Sequence, residues 1–93
     1  MLLKLNIYNS IEKFLEFRKS INHVSFVPTM GNLHDGHLSL IKEALSFNDH
    51  VVVSIYVNPL QFNNKDDLLK YPKTIKDDIN LLESVGCNSL FIP

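Results

Sequence analysis

The sequence predicts an α/β fold built as a three-layer parallel sheet, and three observations carry the prediction. Apolar segments of strand length alternate with segments of helical periodicity in the order β-α-β-α-β-α-β. Residues 50–57 are almost continuously β-branched, as in a strand covered on both faces. Helix punctuation falls between the apolar segments, with Asn9 three residues before Glu12, Thr74 three before Asp77, and Gly86 closing the last helical stretch.

In chain order, residues 2–8 alternate loosely and predict a first strand. Asn9 and Glu12 open a helix that continues through Ile11, Phe14, Leu15, Arg18 and Ile21, with Phe14 and Leu15 on its buried stripe and Asn22 as its stop. Residues 24–27 predict a short strand ended by Pro28, which cannot donate to a ladder. A loop over 29–35 leads into a helix from about Gly36 to Phe47, carried by Leu38, Leu40, Ile41, Ala44 and Leu45. Asn48-Asp49 is a turn signal before the strand at 50–57. Residues 58–71 are polar and irregular, with a helical turn at 66–70. Ile75, Ile79, Leu82 and Val85 form the apolar face of the third helix, and residues 89–92 the last strand. Connections of this kind are right-handed crossovers.

A chain of 93 residues suits one small domain, and 45% hydrophobic residues suffice for a core. A net charge of −1 leaves no basic footprint for nucleic acid, and no basic amphipathic stretch points to a membrane surface. Cys87 is the single cysteine, so no internal disulfide forms and a reducing cytoplasm is expected. It reads as a small buried hydrophobe.

Ligands of parallel sheets sit beyond the carboxyl ends of the strands, and the loops at 28–36 and 58–62 both follow strands. The sharpest signal is His34-Asp35-Gly36-His37. Two imidazoles three apart at a helix start reach the same polyanion, Gly36 lets a phosphate approach the backbone, and the helix N-terminus adds roughly half a positive charge. On the residues alone, a chance string or a metal site stays open beside the anion-binding reading, though zinc lacks a suitably spaced third ligand. Gln61 also fits a simple loop cap, Asn58-Pro59 an ordinary turn and Tyr71 a half-buried aromatic. His23 and His50, at strand starts, read as structural or surface histidines, and Lys65, Asp66 and Asp67 as a solvated loop face.

His34-Asp35-Gly36-His37 resembles the HxGH signature of nucleotidylyltransferases and class I aminoacyl-tRNA synthetases. The longer string from Val27 to Leu38, then Val53 to Phe62, then Tyr71-Pro72, resembles the pantothenate synthetase (pantoate–β-alanine ligase) family from about residue 24 to 93. The resemblance implies a Rossmann-like sheet of HxGH nucleotidylyltransferase type that joins pantoate to β-alanine. ATP first converts pantoate to pantoyl adenylate and pyrophosphate, and β-alanine then displaces AMP. It implies that Met30, Gly31, Asn32, Leu33, His34, Asp35, Gly36 and His37 line the ATP site, with His37 as the catalytic imidazole and His34 beside it. Gln61 would bind pantoate and the incoming β-alanine, with Pro28, Thr29, Met30, Asn58, Phe62 and Tyr71 near that pocket. No protein-held metal is expected, Mg²⁺ arriving with the triphosphate. Family members are much longer and typically dimeric. The chain is therefore expected to hold the N-terminal half of the nucleotide-binding domain, an incomplete sheet with an open edge, and to self-associate while showing little turnover alone. Two alternatives remain at this point: another HxGH nucleotidyltransferase, acting on CTP or pantetheine phosphate, and a non-catalytic self-associating piece.

Overall fold

The computed structural model describes residues 5–47, 49–56 and 71–93, with side chains from Thr74 onward in the last segment. The described residues form β1 (Asn6–Tyr8), α1 (Ile11–Arg18), β2 (Val24–Thr29), α2 (Asp35–Leu45), β3 (His50–Ile55), α3 (Tyr71–Val85) and β4 (Ser89–Phe91). The four strands pair in parallel in the order β1-β4-β3-β2. No described helix is long and apolar enough to cross a membrane.

The period-2 alternation of β3 divides the molecule into layers. Val51, Val53 and Ile55 point to one face, where they meet Leu90 of β4, Ile41 of α2 and Leu82 of α3, all with no exposed surface. Each of these aliphatic side chains contributes about 1.5–3 kcal/mol by burial. On the other face, Phe14 and Phe17 of α1 pack on Tyr8, Phe91 and His50 with ring centroids 4.9–6.0 Å apart. One helix therefore covers one face and two cover the other.

Several expectations are corrected here. Phe14, expected on the buried stripe of α1, is half-buried, but Leu15, expected beside it, is 54% exposed. The two phenylalanines, three apart, make the sheet contact and roll Leu15 outward. Ser10, not Asn9, caps α1, its hydroxyl accepting from the Lys13 amide. The helix ends at Arg18, short of Ile21. The strand expected to stop before Pro28 runs on to Thr29. The amides of His50 and Tyr56 donate to the carbonyls of His23 and Thr29, so odd-numbered residues of β2 pair with β3. Val24, Phe26 and Pro28 then aim their backbone outward along the edge of the described sheet, where a missing N–H breaks no bond to β3.

Helix α3 starts three residues before the expected Thr74, at Tyr71, with Pro72 inside its first turn, a position proline tolerates. Gly86 follows it at φ +81°, the left-handed stop that glycine favours. The expected strand residue Val57 and the expected helical turn at 66–70 lie outside the described residues.

Candidate active site

Strands β2 and β3 end side by side, and the chain leaving β2 turns at once into α2. That turn is unusual. Gly31 and Asn32 both take positive φ, +86° and +53°, and three successive amides there have internal acceptors. Thr29 Oγ1 accepts from the Gly31 amide at 3.1 Å while donating to the Ser54 carbonyl at 2.9 Å. The Asp78 carboxylate on α3 accepts from the amides of Asn32 at 2.9 Å and Leu33 at 2.8 Å. The side chain of Leu33, an expected ATP-site residue, belongs to the hydrophobic core.

His34 is the N-cap of α2, and the two histidines cap the helix reciprocally. The Gly36 amide donates to His34 Nδ1 at 3.0 Å, and the His34 amide donates to His37 Nδ1 at 3.2 Å. A ring nitrogen that accepts carries no proton, so each neutral imidazole keeps its hydrogen on Nε2 and presents it away from the backbone. The rings lie 4.0 Å apart, centroid to centroid. Burial holds His37 below the ordinary imidazole value, the neighbouring His34 lowers it further, and Asp78 opposes both. Two neutral N–H donors thus sit together at the positive end of a helix, suited to oxygen atoms that gather negative charge.

An open cavity of about 410 Å³ lies at this edge, lined by Pro28, Thr29, Met30, His37, Ser54 and Tyr56. The structure brings together four residues expected in the site and adds Ser54 and Tyr56. Alternation along β3 carries the signal for both, since positions 54 and 56 continue the face begun by His50 and Val52. Asp35 opens α2 and is exposed with Asn32 and Gly36. Gln61, Asn58 and Phe62 lie outside the described residues, and Tyr71 is placed only as the first residue of α3. His50 Nε2 pairs with Ser89 Oγ at 2.7 Å on the α1 face, and His23 is exposed at the opposite end of β2. Cys87 is buried, its thiol raised by burial. Among the described residues no three His, Cys, Asp or Glu side chains gather where they would hold a metal ion.

A four-stranded parallel sheet with a histidine-capped helix start at its carboxyl edge is an α/β domain of the Rossmann-like nucleotidylyltransferase type. The chain belongs to the pantoate-beta-alanine ligase family, whose model matches residues 5–93. It is 56% identical over 77 residues to a pantothenate synthetase of Alteromonas mediterranea, covering 83% of this chain and 27% of that protein. Against a pantoate–β-alanine ligase of Schizosaccharomyces pombe it is 48% identical over 90 residues, 97% of this chain and 31% of the other. A solved ligase from Francisella tularensis, in complex with beta-gamma ATP and beta-alanine, superposes with a TM-score of 0.79 at 47% identity over 97% of this chain and 36% of that one. A pantothenate synthetase from Thermus thermophilus gives 0.72 at 40% identity, covering 96% of this chain and 32% of that one. The chain spans about a third of the length of these relatives.

Proposed function

We propose that this chain forms the nucleotide-binding half of the site at which pantoate and β-alanine are joined at the expense of ATP. The observation that carries the reading is the paired Nε2–H donors of His34 and His37 beside the cavity at the ends of β2 and β3. In the first step a carboxylate oxygen of pantoate attacks the α-phosphorus, the bond to the bridging oxygen breaks, and pyrophosphate leaves. Two neutral imidazoles, donating to phosphate oxygens, stabilise the charge that grows there without giving up a proton. In the second step the amine of β-alanine attacks the acyl carbon, AMP departs with the bonding pair, and the proton shed by the attacking nitrogen passes to solvent. Neither step needs a covalent bond to the protein, so positioning is the work of these residues.

On this reading residues 30–37 approach ATP through their outward surfaces, with Pro28, Thr29, Met30 and Tyr71 bordering the pantoate side. Gln61, with Asn58 and Phe62, holds pantoate and β-alanine, an amide side chain being able to donate to a carboxylate and accept from a hydroxyl. Mg²⁺ arrives as part of the triphosphate substrate. The reading also places the chain in the cytoplasm and pairs it with a second copy through the β2 side, where Phe26, Leu40 and Phe47 are exposed.

The test is AMP formation from ATP that depends on both pantoate and β-alanine, run on this chain alone and with the remaining two-thirds of a homologous ligase supplied in trans. Activity only in the mixture is expected. A folded chain that neither binds ATP nor complements would overturn the reading.

A further inference from the structure

We infer that Asp78 is a positioning residue for the candidate site: its carboxylate, carried on α3, fixes the turn that sets His34 and His37 in place. The inference rests on the nucleotide-binding reading of that site.

Asp78 is 2% exposed, in a layer otherwise filled by aliphatic side chains. A buried carboxylate is costly, and an apolar residue of similar volume serves stability as well or better. Its two oxygens are divided between two consecutive amides, Oδ2 receiving Asn32 and Oδ1 receiving Leu33. These partners lie 46 and 45 residues upstream, so the contact ties two otherwise separate elements. The amides belong to a turn with two adjacent positive-φ residues, a conformation that persists only when its surroundings impose it. A Cβ on Gly31 would lie 3.3 Å from Asp78 Oδ2, so the turn sits directly against the carboxylate.

The next residue is His34. Its amide donates to His37 Nδ1, and its own Nδ1 accepts from Gly36. Any shift of Leu33 is therefore transmitted to both rings. Asp78 also acts on His37 through space, as does His34 at the N-cap of α2, while Tyr56, just after β3, lines the same cavity as His37.

The test compares the 93-residue chain with Asp78→Asn, which keeps the size and removes the charge and one acceptor, by NMR and ATP titration. Amide exchange at Asn32 and Leu33 is expected to accelerate at least tenfold, and the His37 ring to titrate at lower pH. Amides of Val52, Val53 and Leu90 keep their protection, and the dissociation constant for ATP rises at least tenfold. Core amides that accelerate together with the turn would make Asp78 merely structural and overturn the inference. So would a turn and a His37 titration that do not move. If the variant does not fold, scalar couplings from the Asn32 and Leu33 amides to the Asp78 carboxyl carbon decide the matter in the unsubstituted chain, where their absence overturns it. An unsubstituted chain that binds no ATP refutes the nucleotide reading alone, and the exchange and titration data still judge Asp78.

Discussion

A proton arriving at Nδ1 of His37 has to displace the His34 amide. Protonation thus competes with helix capping, in the same sense as the burial that lowers His37. Because the folded chain holds His37 below the ordinary value of 6.5, the unfolded chain takes up the proton first as pH falls. Stability is full above that value and declines on acidification. Thermal midpoints measured from about pH 7.5 downward should fall through the imidazole range, with His50, lowered by its own burial, adding to the slope. His37→Ala should flatten that slope, and an unchanged slope would remove His37 from the account. In a complete ligase that supplies the remainder of the site, the same substitution should reduce kcat about 10²–10³-fold, the loss of one preorganised donor. A change within about twofold would remove the role proposed for the imidazole.

The start of α2 shows how local and functional demands separate. At Gly36 a Cβ would lie 2.9 Å from His34 Cε1 and 3.1 Å from Nδ1, so Gly36→Ala drives the ring off the amide it caps. Alanine favours the helix by about 1 kcal/mol. The lost cap costs about the same. Urea unfolding should therefore move little, while ATP affinity measured by calorimetry falls; a large stability loss with unchanged affinity would contradict this account. The start of α2 was legible because its apolar spacing, its glycine and its histidines all lie within a dozen residues, whereas its end falls at Leu45, two residues before the expected Phe47. The orientation of α1 was not, since Phe14 and Leu15 fit one stripe equally well and only the rings of Tyr8 and Phe91, which meet Phe14, decide between them. Thr74 with Asp77 imitates a helix start, yet α3 already begins at Tyr71. Asp78 had no signature at all. On its helix it reads as one more surface charge, and its partners are amides, which carry no residue type.

Across the whole chain, alternation of strands and helices specifies a parallel sheet but not its order. That β1 lies beside β4 rather than β2 depends on long-range register, Asn6 opposite Ser89 and Tyr8 opposite Phe91. The consequence is that β2 lies at an edge of the described sheet. Phe26, Leu40 and Phe47, 54%, 55% and 69% exposed, stand along that side around a cavity of about 430 Å³ that also meets Val27 and Ala44. Apolar surface of this kind drives association. In sedimentation velocity the chain should move as a species heavier than a monomer, and more so with concentration. Leu40→Glu should return it to the monomer. A chain that stays monomeric at high concentration would refute the self-association reading.

Pro28 limits the form such an assembly takes. Along the outward backbone of β2 the donors at Val24 and Phe26 are followed by none at Pro28, so an incoming strand loses its ladder before the end of β2. Side chains can still pair two molecules across the groove, but stacking of strand upon strand has no continuous template to copy. A protein carrying this edge is thereby biased towards closed, countable complexes and away from fibril growth.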